Sequence, residues 1–184
     1  EGLFMEFSDV IKNRYSCKKF SSEQIGKDKL DAILEAGRVA PTAKNLQEQH
    51  IYVVQSESAL ETIDKLTHCR YNAPTVLIVA YNKNNVFTYL GDKRNSGIED
   101  ATIVATHLML AAYNEGVDSC WINFFNPDEL AKAFNLPEDE EILMLFDLGV
   151  ADKTTTPLPN HNSRKALTET VSVSYTHLTL PTIA

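Results

Sequence analysis

Cysteine is scarce in this chain of 184 residues, and the three present, Cys17, Cys69 and Cys120, stand far apart without a C-x-x-C pair. Three scattered thiols predict neither a disulfide framework nor a zinc site, and they favour a reducing, cytoplasmic compartment. Long hydrophobic runs are also lacking, since the apolar stretches are too short to span a bilayer. Acidic residues outnumber basic ones by 25 to 17, which argues against a surface for nucleic acid or an anionic membrane.

The short motifs that mark many enzyme classes are missing as well. The chain contains no G-x-G-x-x-G or G-x-x-x-x-G-K-[ST] phosphate loop, no G-x-S-x-G nucleophile elbow and no H-E-x-x-H zinc helix. Its five histidines are scattered without ligand spacing. We therefore predict no metal site and no catalytic nucleophile or acid.

The length suits one domain with a sizeable core, and we assign that domain to residues 1–171. The last stretch, SVSYTHLTLPTIA at 172–184, has no amphipathic period. We interpret it as a non-native or disordered tail, the alternative being a strand that wraps a partner. The chain begins with Glu1 rather than Met, and the acids in EGLFMEFSDV are not expected in a signal peptide.

Apolar patterning predicts an alternation of helices and strands. Helices are predicted at 28–37, 56–66, 98–116 and from Asn126 onward, and strands at 50–55, 74–82, 119–125 and 141–149. The helix at 98–116 is apolar on most of its surface, which is typical of a central helix packed by a sheet, a partner helix or a second subunit. Because helices come first and long helices separate the strands, we predict an α+β fold with a mixed central sheet. The polar stretch 82–97 is interpreted as a long surface loop.

Positive charge is concentrated near the start of this acidic chain. The segment RYSCKKF, residues 14–20, carries Arg14, Lys18 and Lys19 around Ser16. One interpretation is a solvated helix end, where Arg14 would face the negative end of the helix dipole. The other is an anion site, because the planar fork of an arginine matches a phosphate group.

Several separated segments together resemble one family. RYSCKKF fits R-x-S-x-K-x-F, PTAKNLQ at 41–47 lies within A-P-T-A-x-N-x-Q, and Ser163-Arg164-Lys165 follows far downstream. Further matches keep their order: A-P-T before the buried strand, N-S-G before the long helix, G-V-x-S-C-W at the third strand and L-G at the end of the fourth. Over residues 8–171 the chain resembles the FMN-dependent nitroreductase family of NAD(P)H:acceptor flavin oxidoreductases.

The resemblance implies roles for the basic residues at both ends of the chain. The residues expected at the FMN phosphate and ribityl chain are Arg14, Ser16 and Arg164, and Tyr15 is expected among the residues that bind the cofactor. Lys18 is expected beside the flavin ring near N1 and the C2 carbonyl, where a cation stabilises the negative charge of the reduced ring. Lys19 faces the other way and is expected to contact only water.

The resemblance also implies that each cofactor site draws on two chains. The segment that reaches FMN from the other subunit is matched by Pro41, Thr42, Ala43, Asn45 and Gln47. Taken alone, Pro41 is a helix stop and Asn45 a turn residue. A shared site of this kind implies an obligate homodimer. Glu48 stands where the family commonly has Pro, which leaves the backbone path at this point open.

A last group of matches lies at the ends of two strands. The strand end whose backbone faces flavin N5 is matched by Trp121, Ile122 and Asn123, and Gly149 closes the last strand. The family often has Gly where Asn123 stands. Trp121 is explained equally well as a core residue. Phe124 and Phe125 are candidates for a substrate pocket, but β-propensity explains them as well.

These matches imply an FMN-dependent oxidoreductase. NADH or NADPH would deliver hydride to flavin N5 and leave, and an electron-poor acceptor such as a nitroaromatic or quinone would then bind the same face, giving ping-pong kinetics. The alternatives are other flavin chemistry on the same scaffold, such as dehalogenation or flavin destruction, a non-catalytic flavin-binding protein, and a structural protein without a cofactor. The sequence indicates neither the acceptor nor the choice between NADH and NADPH.

Overall fold

The computed structural model describes residues 5–91 and 93–173, and this part of the chain is an α+β fold with one four-stranded sheet. The helices are α1 (Phe7–Asn13), α2 (Lys27–Arg38), α3 (Glu57–Leu66), α4 (Gly97–Asn114), α5 (Pro127–Ala133) and α6 (Leu167–Thr170). The strands are β1 (Gln49–Val54), β2 (Thr75–Asn82), β3 (Asp118–Ile122) and β4 (Glu140–Gly149), and a 3-10 turn (Ala43–Asn45) precedes β1. Most of the predicted tail, residues 174–184, lies outside the described residues.

The sheet has the order β1-β2-β4-β3, and each neighbouring pair of these strands is antiparallel. The α+β class is confirmed, but this arrangement corrects the expectation of a mixed sheet. A helix between two strands suggests a parallel crossover, yet the segment after α3, with positive φ at Tyr71 and Asn72, leads into a β2 that runs antiparallel to β1. Parallel pairing is found at an isolated bridge between Ser16 and Ser119.

The central strand β2 is buried on both faces of the sheet. Val76 and Ile78 point into the core that also holds α3 and α5, while Leu77 and Val79 point into the core that holds α2 and α4. Because both sets of side chains are apolar, this strand appears in the sequence as a continuous hydrophobic run rather than an alternating one. The predicted position of this strand, 74–82, agrees with its observed bounds.

Helices α2 and α4 pack closely on one face of the sheet. A Cβ added at Gly37 would lie 2.7 Å from Leu108 Cδ2, so glycine is what permits this approach. Helix α4 buries Val104 and Leu108 completely, whereas Ile98 and Ile103 remain 57% and 36% exposed. The apolar surface predicted for this helix is therefore only partly covered within one chain.

The start of α5 follows the predicted capping chemistry. The Asn126 side chain accepts hydrogen bonds from the backbone N–H groups of Asp128 (3.0 Å) and Glu129 (3.3 Å). These contacts satisfy two donors that a helix start otherwise leaves without a partner. None of the helices formed by residues 5–91 and 93–173 combines the length and apolar character that crossing a membrane requires.

The polar segment between β2 and α4 contains no helix or strand among its described residues, as expected for a loop, and it folds back on itself. Thr88 forms an antiparallel bridge with Asn95. Its Phe87 ring lies beneath the Lys44 ammonium group, with Nζ 5.0 Å from the ring centre. Segment 83–96 therefore contacts the turn before β1 through a cation–π interaction.

Candidate functional site

The segment RYSCKKF is placed along the edge strand β3. The backbone N–H of Cys17 donates to the Ser119 carbonyl at 2.9 Å, next to the parallel bridge of Ser16. Cys17 and Phe20 point into the core, with 0% and 3% of their surface exposed, and they anchor the segment. The intervening side chains, including Lys18, consequently face outward beside the sheet edge.

A cavity of about 210 Å³ joins the two basic ends of the chain. Its lining consists of Arg14, Tyr15, Ser16, Leu158, Asn160, His161 and Arg164. We call this space the arginine cavity. Residues about 150 positions apart in the sequence thus meet, because the chain after β4 returns across the start of the molecule: Ser21 N donates to the Val150 carbonyl at 2.8 Å. Two guanidinium groups and a hydroxyl around one cavity form a donor set suited to a phosphate.

Both arginines of the arginine cavity are held by neighbouring groups. The Arg14 Nη1 atom lies 3.2 Å from the Met109 sulfur in α4. Arg164 Nη1 donates to the carbonyls of His161 (2.6 Å) and Ser163 (2.7 Å) within its own turn. Arg14 is half-buried and Arg164 is exposed. These contacts orient both side chains and leave further N–H donors on each guanidinium.

A second cavity of about 390 Å³ adjoins the first. Its lining consists of Ser16, Lys18, Cys69, Tyr71, Cys120, Trp121, Ile122, Asn123, Phe124 and Leu158. We call it the ring cavity. Ser16 and Leu158 line both spaces, so the two cavities share a wall. One end of the combined site is cationic and the other is largely apolar and aromatic, which suits a flat ring system that carries a charged tail.

Tyr71 and Lys18 form one wall of the ring cavity. The Lys18 ammonium lies 5.8 Å from the centre of the Tyr71 ring, within the range of a cation–π contact. Tyr71 has a positive φ of 53°, an unusual conformation for an aromatic residue, and its carbonyl accepts from Phe20 N at 3.0 Å. Burial, followed by the hydrogen bond to Cys69, raises the pKa of the Tyr71 phenol, which therefore stays neutral.

The end of β3 and the residues after it form another part of the lining. The Trp121 indole N–H donates to the Asn123 side-chain oxygen at 2.7 Å, which orients the amide. Phe124 is 67% exposed and lies edge-on to His68, with ring centres 5.0 Å apart. Phe125, by contrast, packs against the core. Phe124 is thus the member of this pair that lines the cavity.

Buried acid and thiol groups lie beneath the ring cavity. Asp147 is 1% exposed, and among the described residues its two carboxylate oxygens have no hydrogen-bond partner. It lies opposite Cys120 in the β3–β4 pair. Burial raises the pKa of the Cys120 thiol to about 12, and the charge of Asp147 acts in the same direction. Cys120 is therefore a protonated and unreactive part of the wall.

The segment expected to reach FMN from a partner does not line either cavity of its own chain. Its residues are Pro41, Thr42, Ala43, Asn45 and Gln47, and they surround the 3-10 turn between α2 and β1. Asp100 at the start of α4 accepts a hydrogen bond from Ala43 N at 2.9 Å, and Gln47 N donates to Thr42 Oγ1 at 3.0 Å. Lys44, Asn45 and Gln47 all have positive φ.

The structure shows tight packing at Gly149, whose contact with the cofactor stays a prediction, and it corrects the expectation for Lys19. Gly149 is a packing position: an added Cβ would lie 2.8 Å from Pro74 Cδ and 2.9 Å from Phe20 Cδ1. Lys19 does not contact only water, because its ammonium group lies 3.2 Å from Asp152 and donates to Thr154 at 2.9 Å. Arg14 combines its position after α1 with a place in the arginine cavity, so the helix-end interpretation and the anion-site interpretation are compatible.

Sequence reasoning missed several lining residues. Asn160 and His161 complete the arginine cavity, and the His161 ring lies edge-on to Tyr15 with centres 6.5 Å apart. Cys69 and Tyr71 complete the ring cavity. The polar run NHNSR before the downstream arginine was the available signal for the first two, whereas Cys69 and Tyr71 lie in a turn without any motif.

Known proteins match this chain over most of its length. Residues 11–72 and 69–150 match the family model described as Nitroreductase family. The chain belongs to the nitroreductase family. A crystal structure of a nitroreductase family protein from Clostridium difficile 630 has 32% sequence identity and a TM-score of 0.86, covering 93% of this chain and 99% of its own. The nitroreductase fold and the oxidoreductase class expected from the sequence are thereby confirmed.

Two further relatives of this nitroreductase family member are informative. A Bacillus subtilis protein named "Putative NAD(P)H nitroreductase YodC" is 28% identical over 195 residues, which cover 85% of this chain and 93% of that protein. A crystal structure from Exiguobacterium sibiricum, solved in complex with FMN, shares the fold with a TM-score of 0.81 at 20% identity, over 92% of this chain and 98% of its own.

Proposed function

We propose that this nitroreductase family member binds FMN across the arginine and ring cavities and passes hydride from NADH or NADPH, by way of the flavin, to an electron-poor acceptor. The proposed acceptor is a nitroaromatic or a quinone. The proposed FMN-binding domain spans residues 1–171. The observation that carries the proposal is the meeting of Arg14, Ser16 and Arg164 beside a cavity walled by Lys18 and Trp121. The FMN bound by a protein of the same fold and the name of the Bacillus subtilis relative support it.

The donor set of the arginine cavity fits the phosphate of FMN. Arg14 and Arg164 each carry N–H donors in a planar fork and keep their charge at every physiological pH. The hydroxyl of Ser16 and the amide of Asn160 add neutral donors at the same cavity. The two arginines would thus bind the phosphate, and Ser16, which also lines the ring cavity, would bind the chain between phosphate and ring.

The ring cavity fits the flavin ring by shape and charge. When FMN is bound, the flavin supplies the hydride chemistry, and the protein needs no nucleophile of its own. Lys18 holds a positive charge at the wall, where it stabilises negative charge that develops on a bound ring. Tyr71 and Phe124 add aromatic surface to the lining, and the hydrogen bond from Trp121 orients the Asn123 amide, which also lines the cavity.

We further propose a homodimer in which each FMN contacts both chains. The segment 41–47 is held on α4 by the Ala43–Asp100 hydrogen bond and does not line the cavities of its own chain. On the same helix Ile98 and Ile103 are exposed, and Phe7 and Ile11 of α1 are 68% and 48% exposed. Exposed apolar side chains on two helices are typical of a surface that a second copy covers.

The proposed compartment is the cytoplasm. Cys17, Cys69 and Cys120 are free thiols, and all three are buried. Buried unpaired cysteines are typical of proteins kept in a reducing environment. The proposed partners are small-molecule acceptors and a second copy of the chain, and the excess of acidic over basic residues disfavours nucleic acid.

Visible absorption spectroscopy of the purified protein tests this function. After incubation with FMN and gel filtration, we expect flavin absorbance to remain with the protein in a dimer-sized peak. Anaerobic NADH or NADPH should bleach that absorbance, and a nitroaromatic or quinone should restore it in a separate half-reaction. Bound flavin that neither donor reduces would refute the reductase and leave a flavin-binding role. Failure to retain any FMN would refute the cofactor assignment.

A further inference from the structure

Two acidic side chains are buried together at the base of the segment 41–47. Glu48 directly precedes β1, and Asp100 lies in the first turn of α4; each has only 4% of its surface exposed. The Asp100 Oδ1 atom accepts a hydrogen bond from Ala43 N at 2.9 Å. The backbone of Glu48 is also fixed, since Asn82 N donates to its carbonyl at 2.9 Å.

The number of protons on this pair decides whether its buried oxygens can be hydrogen-bonded. As two carboxylates, neither acid can donate, and within the described residues Glu48 Oε1, Glu48 Oε2 and Asp100 Oδ2 then have no partner. Two unpaired buried charges in contact would be strongly unfavourable. A proton on one acid removes the conflict, because a neutral Glu48 carboxyl group can donate a hydrogen bond to the neighbouring Asp100. Burial, and then that contact, raise the pKa of Glu48 to about 7.

The other ionisable groups around the pair are engaged elsewhere. The Lys44 ammonium of the 3-10 turn lies over the Phe87 ring. Burial, and then the charge of Glu141, raise the pKa of the Tyr81 phenol in β2, which is therefore neutral. Among the ion pairs formed by residues 5–91 and 93–173, none includes Glu48 or Asp100. Within these described residues, no cation therefore neutralises either acid.

We propose that Glu48 is a positioning residue: as a neutral acid it donates to Asp100, and the resulting pair holds Ala43 and the segment 41–47 against α4. Loss of the proton places two negative charges in contact, and the segment must move away to let water reach them. The link to FMN binding rests on the proposed function, in which this segment completes the site of a second chain.

Hydrogen exchange of the Ala43 amide across pH 5 to 9 directly measures its hydrogen bond to Asp100, which fixes the segment 41–47 on α4. After correction for the intrinsic exchange rate, we expect its protection in the wild type to fall roughly fivefold to tenfold around neutral pH, the effect of losing one hydrogen bond. Glu48→Gln keeps a neutral donor at the same place and should stay protected at every pH. Glu61→Gln, which removes an exposed carboxylate on α3, is the matched control and should behave as wild type.

Three outcomes would overturn the positioning role. One is a wild-type protection profile without a step, and another is a step that persists unchanged in Glu48→Gln. The third concerns Asp100→Asn, in which the side chain beside Glu48 carries no charge. In this variant the pH midpoint of the fall in Ala43 protection should move toward the ordinary pKa range of a glutamic acid. A midpoint equal to that of the wild type would contradict the pair. This variant decides the question even if Glu48→Gln fails to fold.

The FMN dissociation constant, measured over the same pH range, tests the functional link. The ratio of wild type to Glu48→Gln cancels the titration of the FMN phosphate, and we expect that ratio to rise above neutral pH. If the ratio stays constant while the exchange protection of the Ala43 amide falls with pH, the link to the cofactor is overturned. If no FMN binds to either protein, the proposed function fails, whereas the exchange profile still decides the role of Glu48.

Discussion

Removal of the two arginines at the arginine cavity should weaken FMN binding in unequal steps. A hydrogen bond to a charged group contributes about 1.5–3 kcal/mol, and each 1.4 kcal/mol corresponds to about tenfold in affinity. Arg14 is half-buried and held beside Met109, so we expect Arg14→Ala to weaken FMN binding by about 10- to 100-fold. Arg164 is exposed, where water screens the interaction, and Arg164→Ala should cost about tenfold or less.

The assay compares FMN with riboflavin, which has the same ring but no phosphate. Fluorescence titration of the apoprotein with each flavin gives two dissociation constants per variant. We expect the arginine substitutions to weaken FMN binding and to leave riboflavin within about twofold of wild type. In the double variant the two losses should not add fully, because both side chains contact one ligand group. Lys19→Ala is the matched control, since it removes a nearby positive charge that is paired with Asp152.

The comparison separates a phosphate site from a structural role. If Arg14→Ala weakened FMN and riboflavin equally, the arginine would act on the ring or on the fold. Full retention of FMN by the double variant, with an unchanged circular dichroism spectrum, would refute the phosphate assignment. A loss of FMN as large in Lys19→Ala as in Arg14→Ala would show that only the general charge of the region matters.

Three further substitutions test a packing contact, a helix cap and one buried acid. Gly149→Ala should lower the free energy of unfolding by about 1–3 kcal/mol, because its Cβ would meet Pro74 and Phe20 at 2.8 and 2.9 Å; an unchanged urea midpoint would contradict that tight fit. Asn126→Ala should cost about 1 kcal/mol through loss of the cap of α5, and a neutral effect in the same assay would contradict the capping role. Burial raises the pKa of Asp147, so the folded state binds its proton more tightly and stability should fall as pH rises toward neutrality. Asp147→Asn should remove that part of the slope, and slopes equal to wild type would show that the acid ionises normally.

The secondary structure was predicted well wherever a local signal was strong. The strand 74–82, the cap at Asn126 and the long helix from residue 98 agree with the structure to within two residues. Strand direction was predicted less well, because side-chain periodicity is the same in parallel and antiparallel pairs. The small helix Leu167–Thr170 was missed, since its four residues are too few to show a period.

The candidate site was predicted where the residues form a motif. Arg14, Ser16 and Arg164 meet at one cavity, and Lys18 meets the end of β3 at the next. Tyr71 was missed because it lies in a turn without any motif, and His161 was missed because the polar run around it does not by itself indicate a cavity. The placement of the segment 41–47 at the cofactor of a second chain stays a prediction.

The sequence by itself determined the α+β class, the family resemblance and the concentration of donors in RYSCKKF, because these follow from residue types and their spacing along the chain. The resemblance implied that Arg164 joins Arg14, but only the tertiary structure brings the two side chains to one cavity, since this depends on the path of the chain after β4. Likewise, burial alone decided the character of Glu48. In the sequence it is one of many acids, and in the fold it is a carboxyl group excluded from water beside a second one.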